Sequence, residues 1–376
     1  RPTGRHAFAA AALAVAVGMT VGMGIMVKSF EGTVQAWIGT SLHADLYIAP
    51  IGAVGAASKH RIDPKTANAI EQDLKVEAVD RFQILPIDIN GSSSFIGAGD
   101  LAVELNRRTM MMVEGGDTQA IFNDMIQRDT SQPGAIISET FSRRFGVRLH
   151  QELLVPTPSG EKKLEVMGIF ADYGNERGSI IMHRPFFVDW FNDDRSASLA
   201  VYLKPGAQID IEAKRLANTY PGLQVRSNRS LRDEVSRIFN QTFAITYALE
   251  IIGCVVAVIG LVQALLGLAL KRRNEIWSLR SLGANEKDIS WILIIEGLGI
   301  ALSGLAAGTL LGLALSRILV DILNPQVFGW TLKFVLPWSY MVMVAGLLLV
   351  AVILSLIPTA RWSAQLKADR KIEEGA

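Results

Sequence analysis

The chain alternates between long apolar runs and a polar middle whose periodicity is short. Residues 7–27 are almost uninterrupted hydrophobes, with Thr20 the one polar break, and predominantly apolar runs return after residue 244. A helix needs about 20 mostly apolar residues to cross a bilayer core. Four spans are therefore predicted, at residues 7–28, 244–270, 289–320 and 338–360, the third long enough to tilt or project. Arg1, Arg5 and His6 give the first run the look of a signal peptide. Its apolar stretch exceeds a signal h-region and no clear cleavage site follows, which favours a retained span.

Between the first two spans the pattern shortens to strand-like alternation. ADLYIAP, FQILPIDI, GAIIS and SLAVYLK read as strands bounded by Pro and Gly. SETFSRRFG predicts a brief helix with Ser138 as N-cap and Gly146 just past its end. LLVPTPSGEKKLEVMGIF predicts a hairpin turning at Pro158-Ser159-Gly160. Pro185 can open a helix through PFFVDWF, and another helix is expected near residues 209–220. Residues 45–229 thus form an expected α+β domain. Ser230-Leu231-Arg232-Asp233 fits a capping box. A helix starting there either runs through 230–243 into the second span as a rigid stalk, or breaks near Asn240.

Charge orients these elements. Arg1 and Arg5 precede the first span; Lys271, Arg272, Arg273, Arg280 and Lys287 lie between the second and third; Arg361, Lys367, Arg370 and Lys371 follow the fourth. All three groups fall on one side of a four-span arrangement, which the positive-inside rule makes cytoplasmic. The expected layout is a cytoplasmic N-terminus (1–6), an outer domain (45–229), a cytoplasmic loop (271–288), an outer loop (321–337) and a cytoplasmic tail (361–376). Across 376 residues, half are apolar and mean hydropathy is +0.29, as for membrane spans mixed with a water-facing domain. The net charge of +1 gives no argument for nucleic acid, and one cysteine, Cys254, supports neither a disulfide framework nor a cysteine zinc site.

Catalytic signatures are missing. The chain has no G-x-x-x-x-G-K-[ST] phosphate loop, no H-E-x-x-H and no G-x-S-x-G; its five histidines are scattered, and NGSSS (90–94) reads as a turn. Asp172, Glu176 and Arg177 read as a charged hairpin tip. Glu250 and Glu296 lie within apolar runs. An intramembrane acid suggests a proton or ion site, but Glu296 is better explained by pairing near the cytoplasmic interface. Gly304, Gly308 and Gly312, followed by Ser316, recur every four residues in the third run, and Gly18 and Gly22 repeat the interval in the first. Small residues so spaced let helix backbones approach closely in lipid, whether the partner is in this chain or another.

The loop at 271–288, KRRNEIWSLRSLGANEKD, is richer than a simple turn. On a helix Ile276, Leu279 and Leu282 form an apolar stripe, Arg273 and Arg280 line one edge, and Gly283 provides a stop. Such a helix could lie on lipid with Trp277 at the headgroups, or dock in the groove of a soluble partner.

EIWSLRSLGA (275–284) resembles the E-h-x-x-L-R-x-h-G-A pattern, h being apolar, of FtsX/MacB-like ABC transporter permeases. The resemblance covers nearly the whole chain: one span, a large outer domain, then three spans with a glycine-rich third. GAIISETFSRRFGV and RGSIIMHR are similar to the outer domain of these permeases, and IFNQTFAITYALE and NPQVFGWTLKF to segments of large permeases carrying two such units. The chain looks like the second, C-terminal unit of such a protein, or a half-size subunit. It departs from the pattern at RLHQELLV, where relatives often carry G-D, and lacks the usual basic amphipathic segment before the first span, which suggests truncation.

The resemblance implies a non-catalytic subunit whose cytoplasmic coupling helix rests on a separate ATPase dimer, which binds the ATP and Mg; this chain then carries no cofactor or metal. Carried over, Ile276, Leu279, Leu282 and Ala284 meet the ATPase, Arg273, Glu275 and Arg280 fix the contact electrostatically, and Gly283 ends the helix. Other implied partners are a second permease unit, membrane lipid and an extracytoplasmic accessory protein. The implied work is mechanotransmission: ATP-driven closure moves the outer domain to export, extract or release a lipoprotein, lipid, peptide or drug-like substrate. Two other classes are weighed against it, an ion-coupled secondary transporter built on Glu296 and an ATP-independent binding or sensor module.

Overall fold

The computed structural model describes residues 4–53, 58–271 and 282–365, and the chain divides into two compact units. One comprises the chain up to Glu31, Asn240–Leu323 and the chain from Lys333 onward; the other comprises Gly32–Phe239 and Asn324–Leu332.

The first unit is helical. Helix α1 (Gly4–Ser41) contributes its first part, the long helix α8 (Asn228–Lys271) its second part, and α9 (Glu286–Arg317) and α11 (Trp338–Gln365) lie wholly within it. α9 is entered through Asn285, whose N–H donates to the Asp288 carboxylate at 3.1 Å. It leaves through a π-helical turn, Ile318–Leu323. Leu13, Val17, Val21 and Ile25 of α1 pack with Ile300 and Ala301 of α9 and Val344 of α11 as a buried cluster. Among the described residues, Leu13–Ser41 and Lys287–Phe328 are long and apolar enough to cross a membrane, and Trp338–Leu347 is a shorter apolar helical stretch.

The second unit is a mixed α+β domain on one ten-stranded sheet. Its strands are β1 (Leu46–Pro50), β2 (Val76–Ile89), β3 (Ser92–Gly99), β4 (Met112–Glu114), β5 (Gly134–Ser138), β6 (Glu152–Thr157), β7 (Gly160–Phe170), β8 (Ser179–His183), β9 (Ser198–Leu203) and β10 (Leu223–Ser227). They lie in the order β10-β1-β9-β2-β3-β8-β5-β7-β4, with β6 also on β7. The 14-residue β2 joins two halves, pairing with β9 through Val76–Phe82 and with β3 through Gln83–Ile89. Each half has its own core. Ile48, Ile70, Leu199, Val201 and Leu216 fill one; Ile96, Ile137, Phe141, Val166 and Phe187 fill the other.

Short helices cover these cores: α2 (Pro64–Glu71), α3 (Leu101–Glu104), α4 (Thr118–Gln127), α5 (Glu139–Phe145), α6 (Arg184–Phe191) and α7 (Ile209–Thr219). Local chemistry sets their ends. The Ser138 hydroxyl accepts from Phe141 N–H at 3.2 Å and Gly146 closes α5 in the left-handed region at φ 67°. Pro185 sits in the first turn of α6, and the β6–β7 hairpin turns at Pro158-Ser159. A further helix, α10 (Asn324–Phe328), comes from the segment between α9 and α11.

Three expectations need correction. The helix expected at 7–28 continues to Ser41, because the polar stretch after Lys28 keeps a buried face at Thr33, Val34 and Ile38. Ser230 caps nothing. α8 begins at Asn228, and the Ser227 hydroxyl accepts Ser230 N–H at 3.3 Å, so the cap lies three residues earlier. The helix then runs unbroken past Asn240. Asp172, Glu176 and Arg177 are not a hairpin tip: β5 lies between β7 and β8, so this is a crossover loop. Asp172 there accepts from Gly174 N–H and the Ser179 hydroxyl, both at 3.0 Å, and burial raises its pKa. The segment expected as an outer loop at 321–337 contributes Asn324–Leu332 to the α+β unit.

Candidate functional site

In the helical unit the glycine interval is the contact between α1 and α9. A methyl group on Gly308 would sit 2.6 Å from Val17 Cβ and 2.7 Å from the Ala14 carbonyl oxygen. On Gly312 it would sit 2.8 Å from Val21 Cβ and 2.9 Å from the Gly18 carbonyl, and on Gly304 2.8 Å from Leu13. In return, a methyl group on Gly18 or Gly22 would sit 3.3 Å from the carbonyls of Gly308 and Gly312 respectively, and 3.0 and 3.1 Å from the side chains of Leu311 and Leu315. The carbonyl distances at Gly308 and Gly312 mean that main chain meets main chain there, an approach that a side chain would block. Ser316, next in the interval, is fully buried. The partner of the stripe is thus within this chain. Beyond it, Val335 N–H donates to the Ser29 hydroxyl at 3.0 Å, and Arg317 lies 3.8 Å over the Phe334 ring while pairing with Asp321 at 3.2 Å.

In the α+β unit, the end of α1 and the start of α8 are clamped together. Asn228 Nδ2 donates to the carbonyls of Leu42 (3.0 Å) and Ala44 (2.9 Å), and Arg232 Nη2 donates to Leu42 O at 2.8 Å. Arg232 Nε also donates to Asn228 Oδ1 at 2.5 Å. A cation on the carbonyls ending a helix offsets their partial negative charge. The residue expected inside a capping box instead closes a neighbouring helix.

A second fastening holds Asn324–Leu332. Glu139, 4% exposed, accepts the Thr331 N–H at 2.9 Å and the Thr331 hydroxyl at 3.1 Å, while its other oxygen pairs with Arg143 at 2.9 Å. Tyr173 donates its hydroxyl to Thr331 O at 2.9 Å, and Asn324 Nδ2 donates to Trp330 O at 2.9 Å. Tyr173 stands edge-on to both Trp330 (5.4 Å) and Trp37 (5.9 Å), and Trp330 stacks on Phe328. Gly329 at φ 78° turns the segment against Thr140. Burial and the Glu139 charge push the Tyr173 phenol up to about 12.

The α+β unit also holds a cavity of about 170 Å³, lined by His43, Tyr47, Asp80, Glu104, Arg108 and Tyr202 among others. Glu104 receives both oxygens' bonds from Arg108 Nη1, at 2.8 and 3.0 Å. Asp80 accepts Asp100 N–H at 2.6 Å. Burial, then the Glu104 charge, hold Asp80 well above the usual carboxylate range. Burial pulls Arg108 down, but Glu104 and Asp80 together keep its pKa above its ordinary value. Burial lowers His43 and raises Tyr47 and Tyr202.

Of the expected coupling residues, Arg273, Glu275, Ile276, Leu279 and Arg280 lie outside the described residues. Leu282 is exposed, Gly283 adopts φ 95°, and Ala284 is half-buried just ahead of α9. Glu296 falls on α9, and the Glu250 position on α8. Neither Glu139 nor the Asp80–Glu104 pair stood out in sequence. Glu139 reads as an ordinary first-turn acid, and Asp80 and Glu104 belong to no spaced motif.

The sequence matches two family models. Residues 7–219, more than half the chain, match the MacB-like periplasmic core domain, and residues 248–365 match the FtsX-like permease C-terminal domain. Among curated proteins, an uncharacterized ABC transporter permease of Mycobacterium tuberculosis is 28% identical over 348 residues, covering 89% of this chain and 39% of the relative. An uncharacterized ABC transporter permease of Methanocaldococcus jannaschii is 24% identical over 168 residues, 42% of each chain. The alignments thus span about two fifths of the length of these relatives.

Among solved structures, similarity is found to the periplasmic region of MacB from Actinobacillus actinomycetemcomitans. That match has TM-score 0.37 and 10% identity, over 53% of this chain and 95% of that one. The extracellular domain of the noncanonic ABC-type transporter YknZ from Gram-positive bacteria gives TM-score 0.33 and 14% identity, over 49% and 99%. The two family models fit a membrane-embedded protein with an extracytoplasmic domain. The chain belongs to the FtsX/MacB-like family of ABC transporter permeases.

Proposed function

We propose that the chain is one permease unit of an ABC transporter, with its termini and the 271–288 loop cytoplasmic and four helices, α1, α8, α9 and α11, crossing the cytoplasmic membrane. A separate ATPase dimer, holding the ATP and Mg, contacts Ile276, Leu279, Leu282 and Ala284, with Arg273, Glu275 and Arg280 fixing the charge register and Gly283 ending the helix. Movement of that helix reaches the outer domain as mechanical displacement. The cargo is a lipoprotein, lipid, peptide or drug-like molecule that is exported, extracted or released at the outer face. A second permease unit and an extracytoplasmic accessory protein complete the assembly.

One observation carries this reading. Within the α+β unit, the chain segments that continue into the helical unit are fastened by side-chain hydrogen bonds. Asn228 and Arg232 clamp α1 to α8, and Glu139 and Tyr173 hold Asn324–Leu332 between α9 and α11. A domain that only bound a ligand would need one flexible tether. Unbroken helices at α1 and α8 suit a transmitted stroke, since helices are stiff along their axis.

Co-purification with its ATPase tests the reading. Leu279→Asp is expected to abolish recovery of the complex while the permease still inserts. Full recovery of an active complex by that variant overturns the assignment of the loop.

A further inference from the structure

We propose that the cavity over Ala200 in the α+β unit is a binding site for a small primary amine, held as its ammonium ion with Asp80 as counter-ion. The proposal concerns this unit alone and stands whether or not an ATPase drives the chain.

The sheet builds the slot. Residues directly opposite one another on neighbouring strands share a face, and Ala200 of β9 lies opposite both Tyr47 of β1 and Asp80 of β2. Two residues along, Ser198 lies opposite Phe82. Leu199 and Val201 point the other way, into the core. Neighbouring strands run about 4.8 Å apart, so the main chains at Tyr47 and Asp80 stand roughly 10 Å from each other with only the Ala200 methyl between them. The Tyr47 wall is anchored by its hydroxyl, which accepts the N–H groups of His43 (2.8 Å) and Ala44 (3.2 Å).

Charge decides what this hollow takes. Asp80 is 3% exposed, lines the cavity and accepts the Asp100 N–H, but no Lys, Arg or His pairs with it among the described residues. Arg108 gives its two bonds to Glu104, at 2.8 and 3.0 Å, so those charges offset each other. Arg107, beside the Tyr202 ring, pairs with Glu77 at 2.8 Å. Burial lowers the pKa of His43, which adds no charge at neutral pH. One buried carboxylate is left without a cation, a costly state whose symptom is its raised pKa. A ligand that brings one positive charge to Asp80 holds it ionised, and the rings of Tyr47, Phe82 and Tyr202 in the lining favour a cation too.

A metal ion does not fit, because the described residues include no group of three His, Cys, Asp or Glu side chains that could hold one. Size narrows the choice further. The cavity measures about 170 Å³. A cavity of roughly 150 Å³ holds one benzene, so the amine has about six heavy atoms.

Cyclopentylammonium and cyclopentanol, alike in shape and different in charge, test this by saturation-transfer NMR. The full chain is used in nanodiscs of zwitterionic lipid, with empty discs as the blank. The wild type is expected to bind the amine and not the alcohol. Asp80→Asn, which keeps the shape and removes the charge, should weaken amine binding about tenfold or more. Ala200→Leu fills the slot, leaves Asp80 in place and should abolish binding. Equal signals from amine and alcohol on the wild type overturn the proposal without any variant. Amine binding undiminished in Asp80→Asn or in Ala200→Leu overturns it as well.

Discussion

Glu139 takes both the backbone N–H and the hydroxyl of Thr331 on one carboxylate oxygen, across 192 residues of chain. The bond joins the first turn of a short helix in the outer domain to the segment between α9 and α11, so two regions remote in sequence fold as one body. Because the acceptor is charged and almost fully buried, each hydrogen bond is worth more than a neutral surface one.

Glu139→Gln weakens both bonds and leaves Arg143 without its anion. A loss of about 2 kcal/mol in local stability is expected, which is about a 30-fold fall in protection at the Thr331 amide. Thr331→Val, which removes only the hydroxyl, should cost about half as much. Unchanged exchange at Thr331 in Glu139→Gln would show that the carboxylate does not hold this segment.

The α1–α9 contact predicts a contrast between glycines. Gly308→Leu and Gly312→Leu drive side chains into Ala14, Val17, Gly18 and Val21, at an overpacking cost of roughly 1–3 kcal/mol. Gly299→Ala and Gly346→Ala meet nothing within 4 Å and should leave the melting temperature near wild type or above it. Thermal unfolding in detergent separates the two groups; equal effects would remove the close contact from consideration.

Arg232→Met keeps the aliphatic stem but deletes the donors to Leu42 and Asn228. It should lower local stability by about 1–2 kcal/mol, read as faster limited proteolysis near residues 41–45 in the intact chain. Asn228→Ala should have the larger effect, since it strips partners from two carbonyls.

Tyr173 gives a pH signature. Its folded pKa, about 12, exceeds the unfolded value of about 10, so its contribution is fully present below pH 10 and is lost as pH rises through 12. Alkaline ultraviolet titration should show its phenolate appearing late. Tyr173→Phe should remove one phenol from that late component, which Tyr47 and Tyr202 share; a late component of unchanged size in the variant would contradict the buried bond to Thr331.

Local chemistry made much of the fold legible. Ser138 and Gly146 bracket α5, Pro185 opens α6 and Pro158-Ser159 turns the β6–β7 hairpin, because each acts on main chain within a few residues. What stayed hidden depends on pairing across distance. Ser230 and Ser227 are equally good caps until Asn228 is pulled onto Leu42 O, and the Asp172 loop looks like a hairpin tip until β5 inserts between β7 and β8. The glycine interval announced a contact face, but nothing in its spacing names α1 as the partner. Asp80 and Glu104 lie on a strand and a short helix that meet only after β2 has paired on both sides.

The four-residue interval of the glycines also sets the register of α1 on α9. Each gap left by a missing side chain is followed by the next four residues on, about 6 Å along the axis. Val17 lies against Gly308 and Val21 against Gly312, so a shift of α1 by any smaller amount takes both valines off their glycines together and loses the two close approaches at once.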